Sequence, residues 1–272
     1  MAPGTRIDAG IPDEVKRLAS RLYPEAPPEI EFHPQCFLSA GHFAGDDAAR
    51  AAAFLDIAND DGFDALWFGR GGYGSCRFAL DVLPRLTRAA RDKVYLGYSD
   101  AGTLLAGLYK AGFPRLAHGP MPIDIARPGG AAAVERALTY LIEGSAEALE
   151  PHVGTEGPAV AFNIIILGHV IGTPLQPDLT GHVLMLEEVS EYMYRIDRDL
   201  CHITANPAIR QVAGIRLGRC SDIPPNDPDF VLTEEEVARH WCAVSGIPYL
   251  GRADIGHDAD NKVVPFGPPP AV

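Results

Sequence analysis

Ser99 stands in Gly97-Tyr98-Ser99-Asp100, between the apolar run Val94–Leu96 and a helical pattern that runs to Gly112. A serine on so sharp a strand-to-helix turn is presented at the carboxyl end of a sheet, where open α/β sheets bind their ligands. Free amides at the start of the following helix favour the negative charge that develops on an attacked carbonyl. Such a serine becomes a nucleophile only with a base beside it and a carboxylate to orient that base. The simpler alternative is that Ser99 does no more than cap its helix. The pattern is near the nucleophile elbow G-x-S-x-G, but Ala101 fills the last glycine position and Gly102 follows it.

A base and a carboxylate are both on offer. His257 lies in "DIGHDADN", a loop after a strand pattern, and Glu187 and Glu188 end the apolar run of "GHVLMLEEV". Successive strand residues face opposite ways, so only one of the two glutamates points toward a given site. A second signal competes with this one: Gly69, Gly71 and Gly74 of "FGRGGYGSC" fit G-x-G-x-x-G, the spacing of a dinucleotide cradle. That cradle wants an acidic residue ~20 positions on, at the end of the next strand. Asp92 has roughly the spacing but precedes the strand, while Asp100 ends the strand but is too distant. Glu236 and His240 share a helical face without a third metal ligand, and "HDADN" lacks the glycine and distal glutamate of an EF-hand. No metal and no cofactor are therefore expected.

The elements that must position these residues follow from periodicity. "PDEVKRLASRLY" sets Val15, Leu18, Ala19 and Leu22 on one helical face, and "EIEFH" reads as a short strand. "GDDAARAAAFLDIAND" reads as an Ala-rich helix with Asp46 or Asp47 as its N-cap, "FDALWFG" as a strand, "SCRFALDVLPRL" as a helix and "KVYLGYS" as a strand. "PRLAHGPM" then reads as a strand and "GGAAAVERALTYLIEG" as a helix. Strand-helix alternation with short connections predicts a parallel sheet covered on both faces. The stretch "SAEALEPHVGTEGPA" has linker character. The remainder is rich in strand patterns and has one clear helix, "TEEEVARHWCAV", with Thr233 and Glu236 forming a capping box. The expectation is an α/β domain over residues 1–150 and a smaller β-rich domain over 155–272, ending in a frayed "GPPPAV" tail.

Bulk properties narrow the partners. A net charge of −13 opposes binding to nucleic acid or to an anionic membrane surface. The five cysteines are widely spaced with no C-x-x-C, which fits reduced thiols in a cytoplasm. No apolar run approaches the ~18 residues of a membrane span, and the N-terminus has no apolar signal region.

Taken in order, "RGGYGS" (70–75), "GYSD" (97–100), "HGPM" (118–121), "LEEV…YRIDR" (186–198) and "GHDADN" (256–261) make the chain resemble the LD-carboxypeptidase family of serine peptidases, which includes the microcin-immunity hydrolases. The resemblance covers nearly the whole chain. It implies a Ser-Glu-His triad at Ser99, Glu187 and His257, with Glu187 preferred to Glu188 as the first of the acidic pair. It implies a flavodoxin-like N-terminal α/β domain and a β-rich C-terminal domain, with the triad divided between them. The amides of Asp100 and Gly72 would hold the oxyanion, and Arg70, Tyr73 and His118 are candidates for substrate contact. The implied substrate is a murein tetrapeptide losing its terminal D-alanine during cytoplasmic cell-wall recycling. Hydrolysis of peptidyl or aminoacyl nucleotides is the close alternative, and a homodimer is compatible with either. Two departures stand out. The segment matching "APGTRID" stands at the very start, where the family usually has a strand ahead of it. The expectation is that this first strand is missing, which would leave an apolar sheet edge, or that the start site is misplaced. Ala161-Phe162-Asn163 replaces the usual Gly-Gly-Asn, where a phenylalanine would reshape the pocket.

Overall fold

The computed structural model describes residues 1–268; the last four residues of the expected tail lie outside the described residues. Three short parallel strands, β1 (Ala65–Trp67), β2 (Val94–Gly97) and β3 (Leu116–His118), form the first sheet in the order β1-β2-β3. The helix Ile11–Leu22 buries Ile11, Val15, Leu18 and Ala19, the face that its spacing marked out. The helix Asp47–Ala58 starts where the Asp46 carboxylate accepts the Ala49 N–H at 2.8 Å. "EIEFH" forms no strand: Pro34 follows it, Glu29 and Glu31 face solvent, and His33 caps a 3-10 turn over Pro34–Phe37 instead. "SCRFALDVLPRL" is likewise broken into short turns, consistent with Pro84 near its end.

The second sheet is also parallel. It contains β4 (Ala159–Asn163), β5 (Val183–Val189), β6 (Gly214–Ser221) and β7 (Tyr249–Arg252) in sequence order. The strands expected in this half are present, and two helices that periodicity did not separate accompany Glu234–Ser245. One, Ile164–Val170, continues an apolar run directly out of β4; with apolar residues at nearly every position, the run carries no amphipathic signal. The other, Met193–Ala205, starts just before "YRIDR" and buries Met193, Ile196, Leu200 and Ile203. The expected capping box is formed, with Thr233 and Glu236 bonding reciprocally.

The chain then returns to the first sheet. Strand β8 (Val264–Pro265) runs antiparallel to β3, pairing His118 with Val264. Two residues later Gly267 exchanges both backbone hydrogen bonds with Ala159 of β4, at 2.8 and 3.0 Å. The segment 263–267 thus sits between the two sheets and touches both. At the opposite edge β1 pairs with β2, and just beyond its end the Gly69 N–H donates to the carbonyl of buried Met1 at 2.8 Å.

Candidate active site

Strand β2 ends at Gly97, and Ser99 begins the turn that leads into the helix Gly102–Lys110. Its φ of +60° is uncommon for a residue with a β-carbon and occurs where packing over-determines a strained turn. The next residue locks the turn to the glycine loop. Asp100 Oδ2 accepts the Ser75 N–H at 2.9 Å and its hydroxyl at 2.6 Å, while Oδ1 accepts the Gly74 N–H at 3.2 Å. The loop is also clamped from outside, where Thr5 N–H donates to the Gly71 carbonyl at 2.9 Å.

Between these two holds, Gly71 presses on the serine. A β-carbon at Gly71 would lie 2.7 Å from both Cβ and Oγ of Ser99 and 3.2 Å from the Asp100 nitrogen. Gly72, with φ +97°, faces Thr5 on its α-carbon side. Gly71→Ala is therefore expected to force loop and serine apart by about an ångström and to lower kcat roughly 100-fold. Steady-state kinetics on the folded variant checks this; a kcat within twofold of wild type would contradict the close approach.

The glutamates separate by face, as alternation along a strand requires. Glu187 is fully buried and its Oε2 accepts from His257 Nδ1 at 2.7 Å. Two features bring it there: the β5–β6 register shifts between Leu186 and Glu188, and Gly218 leaves room, since a β-carbon there would lie 2.8 Å from Glu187 Cβ. Glu188 points the other way and holds the entry to the helix Ile164–Val170. It accepts the Ile165 N–H at 2.8 Å, Asn163 Nδ2 at 3.2 Å and its neighbour Val189 N–H at 2.9 Å. Burial, together with the charge of Glu187, raises the Glu188 carboxyl to about 7.

His257 is almost fully buried, and burial alone would depress its pKa; the charge and hydrogen bond of Glu187 outweigh that and leave it raised. Its loop is gripped by Arg219 of β6, which binds Asp254 on one side of the histidine and Asp258 on the other. The imidazole lies against the Tyr98 ring, with centroids 4.6 Å apart. The imidazole is thereby seated beside the residue that precedes Ser99. The arrangement offers a strained serine, an imidazole packed on the residue before it, and a buried carboxylate bonded to one nitrogen of that imidazole.

The other expected residues are placed differently. Arg70 donates to the Arg6 carbonyl at 2.9 Å, and Tyr73 is 51% exposed beside His42 and Phe43. His118 is buried under Tyr98, where desolvation holds it neutral with a pKa of about 4. Phe162 is buried against Phe266 and next to Gly102. The Asp100 carboxylate as a clamp on the glycine loop was not read from the sequence; an acidic residue after Ser99 was the available signal. Among the described residues no group of three or more His, Cys, Asp or Glu is placed to hold a metal ion.

This geometry can be set beside known proteins. The family models for the LD-carboxypeptidase N-terminal and C-terminal domains match residues 1–119 and 156–271. The chain belongs to the LD-carboxypeptidase family. Membership makes it a peptidase-class hydrolase. A Synechocystis protein assigned as a carboxypeptidase is 33% identical over 237 residues, covering 84% of this chain and 75% of the relative. The murein tetrapeptide carboxypeptidase of Pseudomonas aeruginosa is 28% identical, covering 75% of this chain and 70% of its own. The fold of the LD-carboxypeptidase family is seen in the muramoyltetrapeptide carboxypeptidase of Oxalobacter formigenes, with a TM-score of 0.77 at 22% identity over 98% of this chain and 92% of that one. The microcin C7 self-immunity protein in complex with aspartyl sulfamoyl adenosine has a TM-score of 0.79 at 18% identity, over 98% and 90% of the two chains.

Proposed function

We propose that the chain is a serine carboxypeptidase that releases the terminal D-alanine of murein tetrapeptides, with Ser99, His257 and Glu187 as its triad. The observation that carries this reading is the 2.7 Å pair of Glu187 and His257, seated on Tyr98 beside the strained Ser99 turn. The Nδ1–H of His257 donates a hydrogen bond to Glu187, which leaves Nε2 as the base that takes the Ser99 hydroxyl proton. Ser99 Oγ attacks the scissile carbonyl, and the amides of Asp100 and Gly72 receive the oxyanion. The protonated imidazole then gives its proton to the leaving amine of D-alanine. Water, deprotonated by the same nitrogen, releases the shortened peptide from the acyl-enzyme.

Arg70 and Tyr73, at the mouth of the loop, would contact the peptide and its carboxylates, whereas buried His118 supports the site from behind. A boundary near residues 150–155 would divide the triad, with the serine in one unit and its partners in the other. A role in cytoplasmic recycling of wall peptides agrees with the five cysteines being free thiols.

Mass spectrometry of an L-Ala-D-Glu-diaminopimelate-D-Ala digest tests the reading. The expected products are the tripeptide and free D-alanine. An intact tetrapeptide alongside hydrolysis of an aminoacyl sulfamoyl adenosine would replace it with the nucleotide-directed activity.

A further inference from the structure

His257 is held to its own sheet by Arg219, yet catalysis as proposed above needs it fixed against a serine carried by the other sheet. One set of hydrogen bonds crosses that boundary at the histidine itself. Arg127, just after the 3-10 turn Pro122–Ala126, donates from Nη1 to the His257 carbonyl at 2.6 Å. Its Nε donates to Asp124 Oδ1 at 2.8 Å, and the same oxygen accepts the Tyr98 hydroxyl at 2.8 Å. Asp124 is buried, with its second oxygen taking the Met121 N–H at 2.8 Å. Tyr98 in turn packs its ring at a tilt against the imidazole and is bonded covalently to Ser99.

A closed circuit results: Ser99, Tyr98, Asp124, Arg127, His257 and back to the Tyr98 ring. We propose that Arg127, aimed by Asp124, is a positioning residue that sets His257 relative to Ser99 across the boundary between the two sheets. The guanidinium suits this because its planar fork reaches two acceptors in fixed directions, one on each side of the boundary. It touches no reacting atom. Its effect is on the angle and distance at which the imidazole meets the hydroxyl, where an error of about 1 Å costs on the order of 100-fold in rate.

The inference rests on Ser99 and His257 being nucleophile and base, and its test separates the two claims. Wild type, Ser99→Ala, Arg127→Met, Arg127→Lys and Tyr98→Phe are measured as full chains on the murein tetrapeptide. Arg127→Met is expected to lower kcat by about 10- to 100-fold with KM within twofold, and Arg127→Lys to recover only part of the loss, because a single ammonium has no fork to hold both acceptors in fixed directions. Tyr98→Phe keeps the ring and loses only the bond to Asp124; a several-fold fall in kcat at constant KM is expected, and it decides the matter if Arg127→Met does not fold. Substantial hydrolysis by Ser99→Ala would remove the premise. With Ser99→Ala inactive, an unchanged kcat in Arg127→Met, or in Tyr98→Phe where only that variant folds, would overturn the positioning role alone, as would a loss confined to KM or thermal stability.

Discussion

Ser99→Ala is expected to lower the hydrolysis rate by about 10⁶-fold while leaving the protein folded. The substitution deletes one oxygen from a half-buried position and keeps the β-carbon that packs against Gly71. It also keeps the +60° φ, so the strained turn and its clamp from Asp100 persist. What remains is substrate binding and oxyanion stabilisation without a nucleophile, which in triad enzymes retains a small rate over water. Ser99→Gly should be equally inactive but more stable, by about 1 kcal/mol, because glycine adopts positive φ without the steric cost. Single-turnover kinetics and thermal denaturation of the two variants check both statements. Activity of Ser99→Ala within tenfold of wild type would end the triad reading.

The second large effect separates two adjacent carboxylates. Glu187→Gln should reduce kcat by up to about 10⁴-fold, because an amide no longer holds the imidazole in the tautomer that frees Nε2. Its charge is also what raises the His257 pKa, so the acidic limb of the kcat/KM profile should move to lower pH in this variant. Glu188→Gln should leave turnover nearly intact, since Glu188 bonds to Ile165, Asn163 and Val189 rather than to the histidine.

Its signature is in stability instead. With a folded pKa of about 7 against an ordinary 4.5, the folded chain keeps a proton that the unfolded chain has lost between those values. The associated stability is fully present below about 4.5 and is lost as pH rises through 7, amounting to about 3 kcal/mol at most. Denaturant titrations across that window should therefore slope less in Glu188→Gln. Equal kinetic losses in the two variants would show that the strand faces had been assigned to the wrong chemistry.

The serine, the histidine and the acidic pair were legible because each has a local signature. Ser99 sits on a strand-turn-helix junction, His257 follows a glycine in a loop, and the glutamates end an apolar strand. Alternation even forced a choice between Glu187 and Glu188, though the direction of each face rests on the sheet's partners. The helix Ile164–Val170 was hidden because periodicity reports contrast between faces, and this segment has little. "EIEFH" erred the other way: its alternation was real, but a strand needs a neighbour to pair with, and among the described residues no strand pairs with it. The link from Arg127 to His257 spans 130 residues, and no local pattern encodes a bond at that distance.

The return of residues 263–267 to the middle of the molecule has a consequence for biosynthesis. While the nascent chain emerges from the ribosome, β1, β2 and β3 can assemble early, but the outer edge of β3 has no partner until Val264 is made. A bare strand edge in a half-finished chain invites the wrong pairings. Ser99 is also made long before His257 is translated, so with the proposed triad the growing polypeptide is expected to lack hydrolytic activity. Closure of the sheet and delivery of His257 then arrive within about ten residues of each other, so the proposed triad would be completed almost at the moment of synthesis that closes the sheet.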